Sequence, residues 1–163
     1  MKKGSKEKTN VMRLLEQKKI PYESLEYEAG DTAPSGGEVA SMLGLPPEQV
    51  FKTLVTVGAS KEHYVFMVPV LKELDLKKAA KAVAEKSIQM IKSKELLPLT
   101  GYVHGGCSPI GMKKQFRTMA DQSAAGFDII YFSAGRIGFQ VAVAPGDLKK
   151  AVDYGLADIC VSD

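Results

Sequence analysis

Cysteine and histidine are scarce in this 163-residue chain, with two of each. Cys107 and Cys160 lie far apart and no C-x-x-C occurs, which excludes a zinc ribbon and a thioredoxin-type motif. His63 and His104 are too few and too scattered for a histidine-built metal site. The expectation is therefore no metal and no cofactor. No apolar run approaches the roughly 20 residues that span a bilayer, so no membrane partner is expected. The first residues lack the apolar core of a secretory leader. Thiols without an export signal predict a cytoplasmic protein.

The rest of the composition is ordinary. The chain is 45% hydrophobic and 25% charged, which suits one globular domain with a core of its own. The net charge of +3 does not by itself imply nucleic acid. Its distribution is uneven. Residues 1–20 hold seven Lys/Arg against two Glu, and residues 71–94 hold seven Lys against three acids. Either these are two solvated helix faces, or the fold joins them into a basic patch.

Residues 1–9 are polar and are expected to be frayed, leaving 10–163 as the domain. Asn10 is a candidate cap for a helix to about Lys19, with Val11, Met12, Leu14 and Leu15 inward. YESLEYE reads as a strand, AGDTAPSGG as loop, and GEVASMLGL as a short helix closed by Gly44. QVFKTLVTVG and YVFMVPV read as a hairpin, with Pro69 at an edge or bulge. Asp75 caps a helix whose inner stripe is Leu76, Ala79, Ala80 and Val83. SIQMI is a short strand, and SKELLPLTG a helical turn stopped by Pro98 and Gly101. A glycine-rich loop and a basic strand follow. DIIYFSAGRIGFQVAVAP is a second hairpin, and PGDLKKAVDYGLADI reads as a closing helix. The sum is an α+β domain with one mixed, mainly antiparallel, curved and barrel-like sheet and flanking helices.

Two stretches carry chemistry. In QVFKTLVTVG, strand alternation puts Lys52 on one face with Val50, Leu54 and Thr56. It either snorkels to water or is a charge held in a pocket. GGCSPIG, residues 105–111, is a tight loop whose successive N–H groups suit a phosphate or a developing oxyanion. It is not a nucleophile elbow, a P-loop or a dinucleotide fingerprint. Cys107 with His104 as base is a possible thiol nucleophile, but no carboxylate obvious in sequence would orient that histidine. A small residue filling the underside of the loop is the alternative. Alone, Tyr27 and Ser133 read as an edge-strand aromatic and a turn residue.

The order LEYE, GGEVASMLGLPPEQVFKTLV, LDLKKAAKAV, GYVHGGCSPIGMKK, YFSAGRIGFQVAVAPGDL resembles the YbaK-type aminoacyl-tRNA deacylases. These are relatives of the editing domain of bacterial prolyl-tRNA synthetases. The resemblance spans about Val11 to Ile159. LDLKKAAKAV and GGCSPIGMKK are most similar to the free-standing Cys-tRNA(Pro) deacylase branch. What it implies is a trans-editing hydrolase that cleaves the ester of Cys-tRNA(Pro), with Cys-tRNA(Cys) as a further substrate. The essential lysine then falls on Lys52, beside Thr53. The pocket tyrosine falls on Tyr27, the G-x-x-x-P loop on Gly105, Gly106, Cys107, Ser108 and Pro109, and the hairpin serine on Ser133. One departure stands out: the acid of the cysteine-specific branch, seven residues beyond that serine, is Gln140 here. Alanyl-tRNA(Pro) is therefore kept as an alternative substrate, and an inactive tRNA- or synthetase-binding module as an alternative of another class. The resemblance implies the aminoacylated tRNA 3′ end as partner and prolyl-tRNA synthetase as a further one. A monomer is the default. On charge alone, the N-terminal helix and the Lys77–Lys94 region are expected to face the acceptor stem.

Overall fold

In the computed structural model, residues 7–162 are described. Residues 1–6 of the segment expected to fray lie outside them. Glu7 pairs with Arg136 at 2.9 Å, and Lys8 with Glu16 at 2.9 Å.

Helix α1 (Asn10–Gln17) is capped by Thr9, whose hydroxyl accepts from the Met12 N–H at 3.3 Å. The cap is thus one residue earlier than Asn10, which becomes the first helical residue. Val11, Met12 and Leu15 are buried. Strand β1 (Glu23–Glu26) and helix α2 (Gly36–Leu43) follow. Ser35 and Glu38 form a reciprocal capping box, and Gly44 closes α2 with φ +66°. Strands β2 (Phe51–Gly58) and β3 (His63–Pro69) form the expected antiparallel hairpin. Helix α3 (Leu76–Ala82) has Asp75 as its cap. Ala79, Ala80 and Val83 are buried, but Leu76 is 40% exposed and leaves the inner stripe.

Strand β4 (Ile88–Met90) leads into helix α4 (Ser93–Thr100). Pro98 lies inside α4 rather than stopping it. The last turn survives because the Thr100 hydroxyl donates to Leu96 O at 2.7 Å and the Gly101 N–H to Leu97 O at 2.9 Å. Strand β5 (Arg117–Asp121) precedes the hairpin of β6 (Ile130–Ser133) and β7 (Phe139–Val143). The closing helix is only α5 (Pro145–Leu148), and the chain then enters strand β8 (Tyr154–Ala157). Residues 153–157 do not continue the helix because β5 offers a free edge, which β8 fills in parallel, Thr118 beside Tyr154. Gly155 allows this: a Cβ there would lie 3.0 Å from the Met119 sulfur.

The strands form two sheets rather than the single sheet expected. The first, β1-β7-β6, is antiparallel; the second, β4-β2-β3-β5-β8, is mixed, with β5 parallel to both β3 and β8. Among the described residues a single bridge, Val50 to Tyr131, links them. β3 reads as a continuous apolar run because both its faces are covered. Val65 and Met67 join the inter-sheet core with Phe132, Val141 and α1. Phe66 and Val68 pack against Ala79, Ala80 and Val83 of α3. Each such side chain, fully buried, contributes roughly 1.5–3 kcal/mol. A third cluster joins Leu25 and Ala142 to Val39 and Leu43 of α2, leaving a cleft where that cluster meets the start of β2.

Candidate active site

The cleft holds about 170 Å³ and is lined by Tyr27, Lys52, Thr53, Gly105, Cys107, Ser133 and Gln140, among others. Seven residues singled out from scattered stretches of sequence therefore meet in one place. β1, β7 and β6 form its floor. Gln140 on β7 stands opposite Leu25 on one side and Ser133 on the other. The Ser133 hydroxyl accepts from the Gly135 N–H at 3.1 Å, which fixes the turn after it. Tyr27 is held at the end of β1, where its N–H donates to Gly138 O at 2.9 Å. The N-terminus of α2 forms the roof. Its approach depends on Gly36, where a Cβ would lie 2.5 Å from Val70 Cγ1.

Lys52 is half-buried opposite Val68 and lines the cleft. Among the described residues it forms no ion pair. It is thus a cation without an ion-pair partner on the wall of the cleft. Beside it, the buried Thr53 Oγ1 has no hydrogen-bond partner. The only other buried side-chain N or O atom in that state among the described residues is Gln140 Oε1. Both residues line this cleft. Gln140 is only 7% exposed. An unpaired buried polar atom costs on the order of 1–3 kcal/mol, so two in one cleft mark a place built for a donor that arrives with a ligand.

The glycine-rich loop forms the remaining wall. Gly105 and Cys107 line the cleft. Gly106, Ser108 and Pro109 instead anchor the loop beneath it and are buried. Gly106 packs so tightly that a Cβ would lie 3.1 Å from Ile137 N. Ser108 Oγ accepts from the Ile110 N–H at 3.3 Å. The N–H groups of Gly105 and Cys107, the two loop residues that line the cleft, donate to no acceptor among the described residues. Unpaired N–H groups in a loop of this kind are the donors that an anionic oxygen would use. Tyr102, which no sequence signal pointed to, holds the loop shut: its buried hydroxyl donates to Ile110 O at 2.5 Å. The same ring lies under Gly135, so it braces the loop and the serine hairpin together. Leu96 of α4 is a further wall residue, which a sequence pattern of a single helical turn does not reveal.

Cys107 is 9% exposed, and burial pushes its thiol up to about 12. Below that range the sulfur stays protonated, and no hydrogen bond joins it to His104 among the described residues. A thiol in this state is a poor nucleophile. We expect Cys107→Ala to retain its rate of ester cleavage within about threefold, measured by release of radiolabelled amino acid. Loss of activity in a folded Cys107→Ala protein would restore the thiol to the mechanism.

A larger groove of about 570 Å³ lies between Pro47, Leu71 and the C-terminal residues. Its Lys78 and Asp121 are engaged: Lys78 Nζ donates to Asp158, Cys160 O and Ser162, and the Asp121 carboxylate accepts from the N–H groups of Ser123 and Ile159. The smaller cleft, with its unpaired atoms, is the better candidate.

The sequence profile of the aminoacyl-tRNA editing domain matches residues 31–151. A protein of Enterococcus faecalis, provisionally named Cys-tRNA(Pro)/Cys-tRNA(Cys) deacylase EbsC, is 42% identical over 162 residues, which is 99% of each chain. A proline–tRNA ligase of Burkholderia orbicola is 24% identical over 83% of this chain, a stretch that makes up 24% of the ligase. A crystal structure provisionally described as a trans-editing enzyme for prolyl tRNA synthetase superposes with a TM-score of 0.81 at 23% identity. That match covers 96% of this chain and all of the other. At that identity it establishes the fold alone.

Proposed function

The chain belongs to the aminoacyl-tRNA editing domain family, and from that premise we propose that its cleft hydrolyses the ester of cysteinyl-tRNA(Pro), and of cysteinyl-tRNA(Cys) in addition. The observation that carries this reading is the pairing of two orphaned buried acceptors, Thr53 Oγ1 and Gln140 Oε1, with the unneutralised ammonium of Lys52. An aminoacyl ester at a tRNA 3′ end complements both. Its α-ammonium supplies donors for the two oxygens. Its carbonyl and the neighbouring phosphate supply negative charge for Lys52.

Chemistry then follows from the substrate. The cysteinyl sulfur attacks the ester carbonyl carbon, and charge builds on the carbonyl oxygen. Lys52 and the free N–H groups of the glycine-rich loop stabilise that charge. The bond from the carbonyl carbon to the ribose oxygen breaks, and the proton of the thiol goes to the departing ribose oxygen. The product is a cyclic thioester, which water opens to free cysteine. Enforced proximity makes the intramolecular attack effective. An alanyl ester has no thiol, so a positioned water would have to attack it. Binding alone separates small side chains by only about 1–3 kcal/mol, which is why a second sieve of this kind is needed. Prolyl-tRNA synthetase fits as the partner that delivers mischarged tRNA. The free thiols Cys107 and Cys160 fit a cytoplasmic setting.

The test is release of cysteine from Cys-tRNA(Pro) by the wild-type chain. Binding of the charged tRNA without release would leave only the binding-module reading. Alanyl-tRNA(Pro) is retained as a second substrate because Gln140 is neutral. If Gln140 binds the amine, Gln140→Leu raises KM about tenfold for cysteinyl and alanyl esters alike, from loss of one charge-assisted hydrogen bond. A change in the ratio between the two esters would mean that Gln140 reads the side chain instead.

A further inference from the structure

The turn end of the β2–β3 hairpin carries a second cluster of charge. Lys61, Glu62, His63, Lys114, Phe116 and Arg117 line a shallow groove of about 330 Å³. Sheet register explains why they meet: Tyr64 of β3 lies beside Arg117 of β5. The His63 and Phe116 rings are 5.3 Å apart, and Lys114 Nζ sits 5.9 Å from the centre of the Phe116 ring. These contacts hold the groove in shape. Lys61, Lys114 and Arg117 are exposed, and none of them forms an ion pair among the described residues. With Glu62 counted, the groove keeps an excess of two positive charges. A solvated lysine face normally includes acids at pairing distance, as on α3, where Lys78 is held by Asp158 at 3.2 Å.

We propose that this groove binds backbone phosphates of RNA, holding the acceptor stem whose 3′ end enters the cleft. That the RNA is a substrate rests on the deacylase reading; that the groove takes phosphates rests on its own charges. The two places are joined by the fold. Lys52 and Gly58 mark the ends of the stretch of β2 between them, about 20 Å at roughly 3.3 Å per residue. That is the reach of roughly six nucleotides at about 3.4 Å per step along one strand. The Lys113 N–H, one residue before the groove, donates to Thr100 O at 3.0 Å, at the end of the helix that gives Leu96 to the cleft. This location differs from the two basic segments expected from sequence. Lys114 and Arg117 belong to the basic strand segment and Lys61 to the distant β2–β3 turn, so only the pairing of β3 with β5 brings the three together.

The test has two arms. Binding of an uncharged acceptor-stem hairpin RNA is followed by fluorescence anisotropy from about 50 to about 200 mM salt. Cleavage is followed on whole Cys-tRNA(Pro) and on a short cysteinyl oligonucleotide ending in CCA. For a triple Lys61→Ala, Lys114→Ala, Arg117→Ala variant we expect hairpin affinity to fall at least tenfold. The slope of log Kd against log salt should flatten by about three. KM for whole tRNA should rise in step with unchanged kcat, and the short oligonucleotide should be cleaved as before. Charge-keeping Lys61→Arg and Lys114→Arg should bind normally. Unchanged hairpin affinity and slope would overturn the proposal. So would equal loss in a Lys77→Ala, Lys81→Ala control, or equal loss on the short oligonucleotide. Groove-dependent binding by a wild-type chain that cleaves nothing would uphold the groove and remove the deacylase reading. Cleavage indifferent to the groove would do the reverse.

Discussion

Lys52→Ala should lower single-turnover release of the amino acid by about 10²–10³-fold, the usual cost of removing one preorganised stabiliser of a developing oxyanion. Folding should survive. Lys52 is half-buried and forms no ion pair among the described residues, so its removal orphans no partner. Alanine keeps the backbone pairing with Val68. The measurement is a rapid-quench time course alongside a thermal melt. A folded Lys52→Ala chain with wild-type turnover would return the lysine to its bland role as a side chain snorkelling from a strand. Lys52→Arg sharpens the point. A planar guanidinium does not reproduce a compact ammonium in a small cleft, so charge alone should rescue little.

Gly105→Ala should be nearly as damaging, by another route. Gly105 has φ +89°, a region that L side chains rarely adopt, and a Cβ there would lie 2.6 Å from the Ala33 Cβ. Strain of this kind costs on the order of 1–3 kcal/mol. The loop must move to escape the clash, and it carries the free N–H donors with it. A displacement of about 1 Å at a reacting centre can cost on the order of 10²-fold, and we expect a loss of that size in kcat together with a lowered melting temperature. Adding Ala33→Gly removes the clash but not the backbone strain. The double variant should therefore recover stability and activity only in part. Full activity in Gly105→Ala alone would show that the loop supplies no donors to the reaction.

The elements legible in sequence are those with strong local punctuation. Asp75, Gly44 and the two hairpins mark boundaries through caps and turns, and the structure has them. Errors arose where tertiary contacts decide. β8 reads as helix because Pro145 and Gly155 bracket the segment as start and stop, yet the free edge of β5 takes its second half as a strand. Pro98 reads as a stop, but side-chain and cap hydrogen bonds carry α4 past it. The division into two sheets rests on one bridge at Val50, which no local pattern encodes.

The cleft was legible in part. Lys52 stood out as a charge on an apolar strand, and the loop stood out by its glycines. Nothing local linked Thr53 to Gln140, because their shared property, a buried oxygen without a partner, exists only once β2 and β7 are brought together. Tyr102 was invisible for the same reason. Its value lies in a phenol reaching eight residues along the chain to Ile110.

One measurement reaches the centre of this account: wild-type chain incubated under single-turnover conditions with Cys-tRNA(Pro) and Ala-tRNA(Pro) in parallel. We expect cysteine to be released, and faster than alanine, since only cysteine carries its own nucleophile. Release of neither amino acid, from tRNAs that the chain demonstrably binds, would contradict the claim that this cleft cleaves aminoacyl esters.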